Sequence, residues 1–147
     1  MIAQRKLMAL AAVVDVALNA RGRPVSAKTL AARHGLAPRH LETLLQDLVR
    51  AGILKGTRGP RGGYELARER RRITAGDVLR ALDRDSEAVE TGAASSRLFV
   101  DVVAPVAGEA TEAVLARLDA VSIADLCRRA ESKNLTEPAR PDDEFHI

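Results

Sequence analysis

Two arginines, Arg58 and Arg61, stand in the run Thr57-Arg58-Gly59-Pro60-Arg61-Gly62-Gly63-Tyr64. Guanidinium groups at the tip of a glycine-rich loop have no core to serve. Gly62 and Gly63 let the backbone come close to a phosphate or enter a narrow minor groove, where arginine is electrostatically favoured. A second constellation lies upstream, in Thr29-Leu30-Ala31-Ala32-Arg33-His34-Gly35-Leu36-Ala37-Pro38-Arg39-His40-Leu41. Its glycine between two helical patterns reads as a helix-turn-helix, with small Ala31 and Ala32 at the close approach and Leu36, Leu41 and Leu45 sealing the join. At 100° per residue the third helix carries an apolar stripe of Leu41, Leu44, Leu45, Leu48 and Val49. Its other side presents Arg39, Thr43, Gln46 and Arg50, with His40 and Asp47 flanking. The first turns of such a helix reach base edges in a major groove, so Arg39 suits guanine and Thr43 a thymine methyl or a phosphate. Arg50, at the far end, suits the backbone. A solvated face is the plain alternative for Gln46 and Asp47.

The elements around these residues follow from local chemistry. Residues 3–20 form one helical pattern with Leu7, Leu10, Ala11, Val14 and Leu18 at helical spacing. Basic Gln4-Arg5-Lys6 before this stretch imitates a secretory signal, yet Asp15 interrupts it, and an amphipathic core helix is the plainer reading. Ser26 caps a second helix that ends at Gly35, and Pro38 opens a third that stops at Gly52. Ile53-Leu54-Lys55 and Tyr64-Glu65-Leu66 are strands on either side of the basic loop. Thr74 caps a fourth helix through Val78, Leu79 and Leu82. After residues 84–96, read as a linker, Phe99, Val102, Val103, Val106, Ala110, Ala113, Val114 and Leu118 mark a long helix that Pro105 must kink or begin. Ser122 caps a last helix with Ile123, Leu126, Cys127 and Ala130 on one face, and residues 132–147 read as a disordered tail. The order helix-turn-helix, strand, basic loop, strand is that of a winged helix. The fold class is therefore mainly α with a small β-hairpin wing and a long C-terminal helix, the dimerisation helix of the family resemblance given below. The expected division is 1–83 for the winged domain, 84–96 for the linker, 97–131 for a helical dimerisation region and 132–147 for the tail.

Composition narrows the chemistry. The 147 residues are 46% hydrophobic and 29% charged, as in an ordinary globular domain. Aromatics make up only 2%, too few to stack successive bases of a single strand. The net charge of +3 conceals a division: residues 1–72 hold 15 basic against 5 acidic side chains, residues 73–147 hold 8 against 15. The first half, at +10, is suited to a polyanion. The single cysteine, Cys127, excludes an internal disulfide and a four-cysteine zinc site and suits a reducing cytosol. His34, His40 and His146 have no metal spacing, and Asp83, Asp85, Glu87 and Glu90 read as a solvated acidic segment. No nucleophile stands beside a base, no carboxylates pair in an apolar frame and no Walker-type loop is present, so no enzyme is expected. No stretch is apolar enough to span a membrane.

At these residues the chain resembles the Rrf-two family of bacterial winged-helix transcription regulators, of the IscR, NsrR and CymR types. The resemblance covers roughly residues 2–131. It rests on Ala17-Leu18, Pro24-Val25-Ser26, Leu41-Glu42, Leu48, Ala51-Gly52 and, most specifically, Thr57 to Tyr64. Ile73-Thr74-Ala75-Gly76-Asp77-Val78 and Val121-Ser122-Ile123-Ala124-Asp125-Leu126 match later signatures. What the family implies is a homodimer joined through the long helix and binding a palindromic operator on double-stranded DNA. Ala37, Arg39, His40, Glu42 and Thr43 fall on its base-reading helix start, and Arg58, Arg61, Gly62 and Gly63 on its wing. Ser26 and Lys28 at the start of the second helix complete, with Arg50, the expected DNA-binding set. Phe99, Val102, Val103, Val106, Ala110 and Val114 are the expected dimerisation stripe.

One departure is as informative as the matches. Cluster-binding members carry three cysteines between the helix after the wing and the dimer helix, whereas Asp85 to Phe99 holds none here. Thiolates hold iron–sulfur clusters, so no cofactor is expected. The expected function is that of a cytoplasmic, dimeric, sequence-specific regulator, a repressor, open to a small-molecule or protein effector. Two alternatives remain beside it: a winged-helix adaptor whose basic face meets an acidic protein, and a thiol-based redox sensor using Cys127.

Overall fold

The computed structural model describes residues 2–83 and 96–135. Helix α1 (Gln4–Asn19) leads to α2 (Ala27–His34) and α3 (Pro38–Arg50), then to strands β1 (Leu54–Thr57) and β2 (Gly63–Leu66). A 3-10 turn, Arg70–Arg72, and α4 (Ala75–Ala81) follow. A π-helical turn, Phe99–Val103, runs into α5 (Ala104–Asp119), and α6 (Ile123–Ser132) ends the described chain. The expected linker lies outside the described residues except for Ser96, as does the expected tail from 136 onward; its first residue, Ser132, still belongs to α6.

Each boundary has a local cause. The Ser26 hydroxyl accepts from the Thr29 amide, closing the start of α2. Gly35 ends it at φ +62°, and Gly52 turns the chain out of α3 at φ +74°, both left-handed positions that favour glycine. Pro38 sits in the first turn of α3, where its missing N–H costs no helical bond. Pro105 begins α5: its absent donor falls where the ladder changes from π to α spacing.

The antiparallel hairpin pairs Leu54 with Leu66 and Thr57 with Gly63. A further bridge joins Val25, just ahead of α2, to Tyr64, through N–H···O bonds of 3.0 and 2.8 Å. The wing is thereby fixed to the start of the helix-turn-helix. A second isolated bridge pairs Thr74 with Ser122, so α4 and α6 start from one short ladder. Both carry the same capping box: Thr74 with Asp77, and Ser122 with Asp125. The fourth and sixth helices thus begin side by side with Ile73 and Ile123 fully buried.

The core gathers Val13, Val16, Leu30, Leu41, Leu45, Leu48, Ile53, Val78 and Cys127 around α1. Three packing expectations are corrected. The face of α1 that enters the core is Ala9, Ala12, Val13 and Val16, together with Leu18. Leu7 is exposed, while Leu10, Ala11 and Val14 are half-buried and line a second, outer groove with Leu126, Ala130 and Leu135. Small Ala9 and Ala12 bring neighbouring helices close, while Leu7 and Leu10 turn toward the outer groove. Ala31 is buried between α2 and α3 but Ala32 is exposed, and Val49 lies outside the stripe that buries Leu41, Leu44, Leu45 and Leu48.

Asp15 is the buried charged residue among the described side chains. Its carboxylate accepts from Arg33 at 2.7 Å and from Asn19 at 2.9 Å and meets His34 Nε2 at 2.9 Å. His34 therefore does more than face the dipole at the end of α2: with Arg33 it fastens that end to α1. At the other end of the molecule, Arg80 of α4 forms a two-pronged pair with Asp119 of α5, at 2.6 and 2.9 Å. A Cβ on Gly76 would lie 1.9 Å from the Asp119 carboxylate, so glycine is what admits this pair.

Removing one partner of a buried pair leaves the other charge uncompensated. Asp15→Ala is expected to destabilise the fold by about 3–5 kcal/mol, read by urea unfolding. The Arg80 guanidinium holds the Asp119 carboxyl below its ordinary value of 3.8. A lowered carboxyl contributes stability above the ordinary value and loses it as pH falls through the lowered one. The pair should thus weaken only below pH 3.8, and Asp119→Asn should flatten that part of the stability profile.

Candidate nucleic-acid interface

The expected residues fall on three neighbouring elements. Ser26 caps α2, its hydroxyl engaged with Thr29, and Lys28 is exposed on the first turn. Ala37 is the residue before α3, and Arg39, His40, Glu42, Thr43, Gln46 and Arg50 all lie exposed on that helix. Thr43 donates back to the Arg39 carbonyl at 3.1 Å, which occupies its hydroxyl donor within the helix. Arg58 and Arg61 are exposed on the turn between β1 and β2. Among the described residues Arg39, Arg58 and Arg61 have no acidic partner.

The hairpin and α3 enclose an open cleft of about 550 Å³, lined by Ala27, Gln46, Val49, Arg50, Arg58, Gly59 and Tyr64 among others. The structure brings together the second half of α3, the first residue of α2 and the wing. Arg39 and His40 lie outside this cleft, a helical turn or more away along α3. Gln46, which the sequence offers as a plain solvated residue, stands on the cleft wall facing the wing. Its one signal in the sequence is its place one turn before Arg50, on the face opposite the leucines.

The wing glycines have an internal reason for being glycine. A Cβ at Gly62 would lie 2.2 Å from the Thr57 carbonyl, and one at Gly63 would lie 2.4 Å from the Val25 carbonyl. They allow the turn to fold on itself and β2 to meet the segment before α2. Gly59, at φ +111° with open space around it, stands free at the tip. Tyr64 is half-buried beneath the loop, and burial followed by the nearby Glu42 carboxylate pushes its hydroxyl above the ordinary value of 10.0. Asp47, on the flank of the helix, is engaged by Arg5 at 3.1 Å and lies 3.8 Å from Arg50. Its charge is largely spent within the protein.

The model of the Rrf2 family, described as an iron-dependent transcriptional regulator, matches residues 2–129. The chain belongs to this family. Protein rrf2 of Nitratidesulfovibrio vulgaris is 35% identical over 121 residues, covering 80% of this chain and 81% of its own. Among solved structures, T. potens IscR superposes with a TM-score of 0.70 at 29% identity, covering 99% of this chain and 96% of that one. CymR, the global cysteine regulator of B. subtilis, superposes at 0.64 with 29% identity, covering 88% and 97%. The winged-helix reading is thereby shown, and the protein is an Rrf2-family DNA-binding transcription regulator.

The family description names iron, and the residues of this Rrf2 protein do not fit a thiolate-held centre. Cys127 is the one cysteine of the sequence and is buried in the core, 1% exposed. Among the described residues, no group of three or more His, Cys, Asp or Glu is placed to hold a metal ion. No helix of the described chain is long and apolar enough to cross a membrane.

Because Gly63 meets the Val25 backbone, Gly63→Ala should move β2 away from the helix-turn-helix. The expected result is a destabilisation of about 1–3 kcal/mol, with weakened duplex binding. A crystal structure or amide exchange at Val25 and Tyr64 checks the displaced bridge.

Proposed function

We propose that this Rrf2 protein is a homodimeric, sequence-specific repressor that works in the cytoplasm on a palindromic operator, without an iron–sulfur cluster. The observation that carries the DNA-binding mode is a set of guanidiniums without acidic partners among the described residues: Arg39 on α3, and Arg58 and Arg61 on the wing. Arg58 lines the cleft between those two elements, Arg61 lies on the same wing turn, and Arg39 stands beyond the cleft near the start of α3. In this reading the start of α3 enters the major groove, with Arg39, His40 and Thr43 at base edges and Ala37 and Glu42 at the approach. Ser26, Lys28 and Arg50 take backbone phosphates. Arg58 and Arg61 take phosphate or the minor groove, on a wing shaped by Gly62 and Gly63.

Dimerisation is supported by the exposed stripe. Phe99, Val102, Val103, Val106 and Val114 are 44–63% exposed in the single chain, and Ala110 lies beside them. Each Val or Phe covered by a second copy contributes about 1.5–3 kcal/mol, and a two-fold axis would set two recognition helices about 34–36 Å apart. The stripe and the α1–α6 groove together offer the second copy two apolar faces. A small-molecule or protein effector would act by preferring one arrangement of the two winged domains over another.

Binding of the parent protein to an operator selected from a random duplex pool tests this reading. Replacing Arg58 and Arg61 by alanine should weaken it and lower the slope of log K against log salt by roughly one for each phosphate no longer neutralised. Affinity and slope both unchanged would place the wing outside the interface. Salt-dependent binding to an acidic protein, but not to duplex, would favour the adaptor reading instead. Sedimentation should show a dimer at micromolar concentration, and Val102→Asp with Val106→Asp should give a monomer. Anaerobic reconstitution with iron and sulfide should produce no charge-transfer absorption, and Cys127→Ser should leave DNA affinity equal under oxidising and reducing conditions.

A further inference from the structure

A second concentration of positive charge lies at the base of the wing, away from its tip. The segment after β2 brings Arg68, Arg70 and Arg71 to an open concavity of about 620 Å³. The turn just after α1 adds Arg21 and the second turn of α6 adds Arg128, with Ala17, Ala20, Leu66 and Ala124 among the lining. Successive residues of a 3-10 turn point about 120° apart. Arg70 and Arg71 therefore face the concavity, and Arg72, in the same turn, does not line it.

Five guanidiniums share this space with one lining carboxylate, Glu69. Glu69 accepts from Arg71 at 2.8 Å, which holds its carboxyl below the ordinary range, and Arg128 pairs with Asp125. Arg21, Arg68 and Arg70 have no acidic partner among the described residues. Cations gathered in a concavity repel one another and focus potential there, whereas on a convex surface water would separate them. Planar guanidinium forks match phosphate oxygens in pairs, and several of them together match a chain of phosphates better than a lone carboxylate.

We infer that this concavity is a binding site for a small polyphosphate-bearing ligand, distinct from the nucleic-acid interface. The depression is open and lined mainly by exposed arginines, which suits a short, highly charged ligand more than an apolar one. Neither Ser26, Lys28, the outward face of α3 nor the wing-tip arginines line it. Leu66, on its wall, pairs with Leu54 at the end of the hairpin remote from the turn. A linear polyphosphate is short enough to meet several of these guanidiniums at once within the depression. A ligand held there would join three elements at once: α1, the segment that roots the wing, and the helix that follows α5. It would thereby tie the placement of the wing to that of the C-terminal helices.

The test uses the full chain without DNA and inorganic tripolyphosphate as the probe, by calorimetry at physiological salt, where exposed charges are screened. The expected result is one saturable site per chain. Arg70→Ala with Arg128→Ala should weaken it by about tenfold or more, and Arg58→Ala with Arg61→Ala should leave it within about twofold. All four positions are exposed, and matching thermal melts verify that the variants fold. Absence of a saturable site, or equal loss in the wing-tip variant, would overturn the inference. A third arm compares operator duplexes with and without flanking base pairs. If Arg70→Ala with Arg128→Ala weakens only the flanked duplex, the occupant is the DNA backbone and the inference also fails. Since tripolyphosphate is bound without DNA, the first two arms are independent of whether the operator reading holds.

Discussion

An ionised carboxylate taken out of water must be met by donors, or its burial costs several kcal/mol. Asp15 meets that condition in the middle of α1 through Arg33, His34 and Asn19, and the position of the DNA-binding elements follows from it. Arg33 and His34 are the last two residues of α2, so the carboxylate fixes where that helix ends against α1. Gly35 then turns the chain at a set point, and Pro38 starts α3 three residues later. Apolar packing alone would permit these helices to slide, because leucine against leucine tolerates many registers. A buried charge with three partners tolerates very few. The outward face of α3 and the cleft beneath the wing are therefore oriented by a polar contact on the far side of the helix-turn-helix.

The parts of this arrangement that can be read from sequence are those whose cause is local. Ser26, Gly35, Pro38, Gly52, Thr74 and Ser122 each impose a cap, a left-handed turn or a missing donor within a few residues, and the elements begin and end where that chemistry requires. The polar side of α3 and the arginines of the wing are legible for the same reason, since helical spacing and a glycine-rich turn are short-range patterns. Long-range partners are not legible in this way. Nothing adjacent to Asp15 indicates that its partners lie eighteen and nineteen residues onward. Gly62 and Gly63 look like loop residues, but carbonyls of Thr57 and Val25 exclude a side chain there. In α1 the large leucines dominate a hydropathy reading, while close helix packing selects Ala9 and Ala12 and leaves Leu7 outward.

The charge division of the sequence takes on a more specific form in the fold. Its basic half does not present one uniform surface. Arg39 stands near the start of α3 and Arg58 and Arg61 on the turn of the wing, whereas Arg21, Arg68, Arg70 and Arg71 gather at the root of the same hairpin. The hairpin thus carries cations at both ends, with Tyr64 on the strand between them. Among the described residues of the other half, Asp77 and Asp125 close capping boxes and Asp119 receives Arg80.

The bridge between Thr74 and Ser122 has a mechanical consequence. It joins the starts of α4 and α6 by backbone bonds, while the Arg80–Asp119 pair clamps the adjoining end of α5 to α4. That end of α5 is a fulcrum, and the rest of the helix is a lever arm. Sixteen residues of α-helix are about 24 Å long. A tilt of about 10° at the fulcrum therefore moves the far end, beside Phe99, by roughly 4 Å. Atomic adjustments too small to disturb the core at Ile73 and Ile123 become displacements comparable to a side chain at the exposed stripe. The same gearing runs in reverse: a force applied near Phe99 reaches the winged domain as torque on the 74–122 ladder.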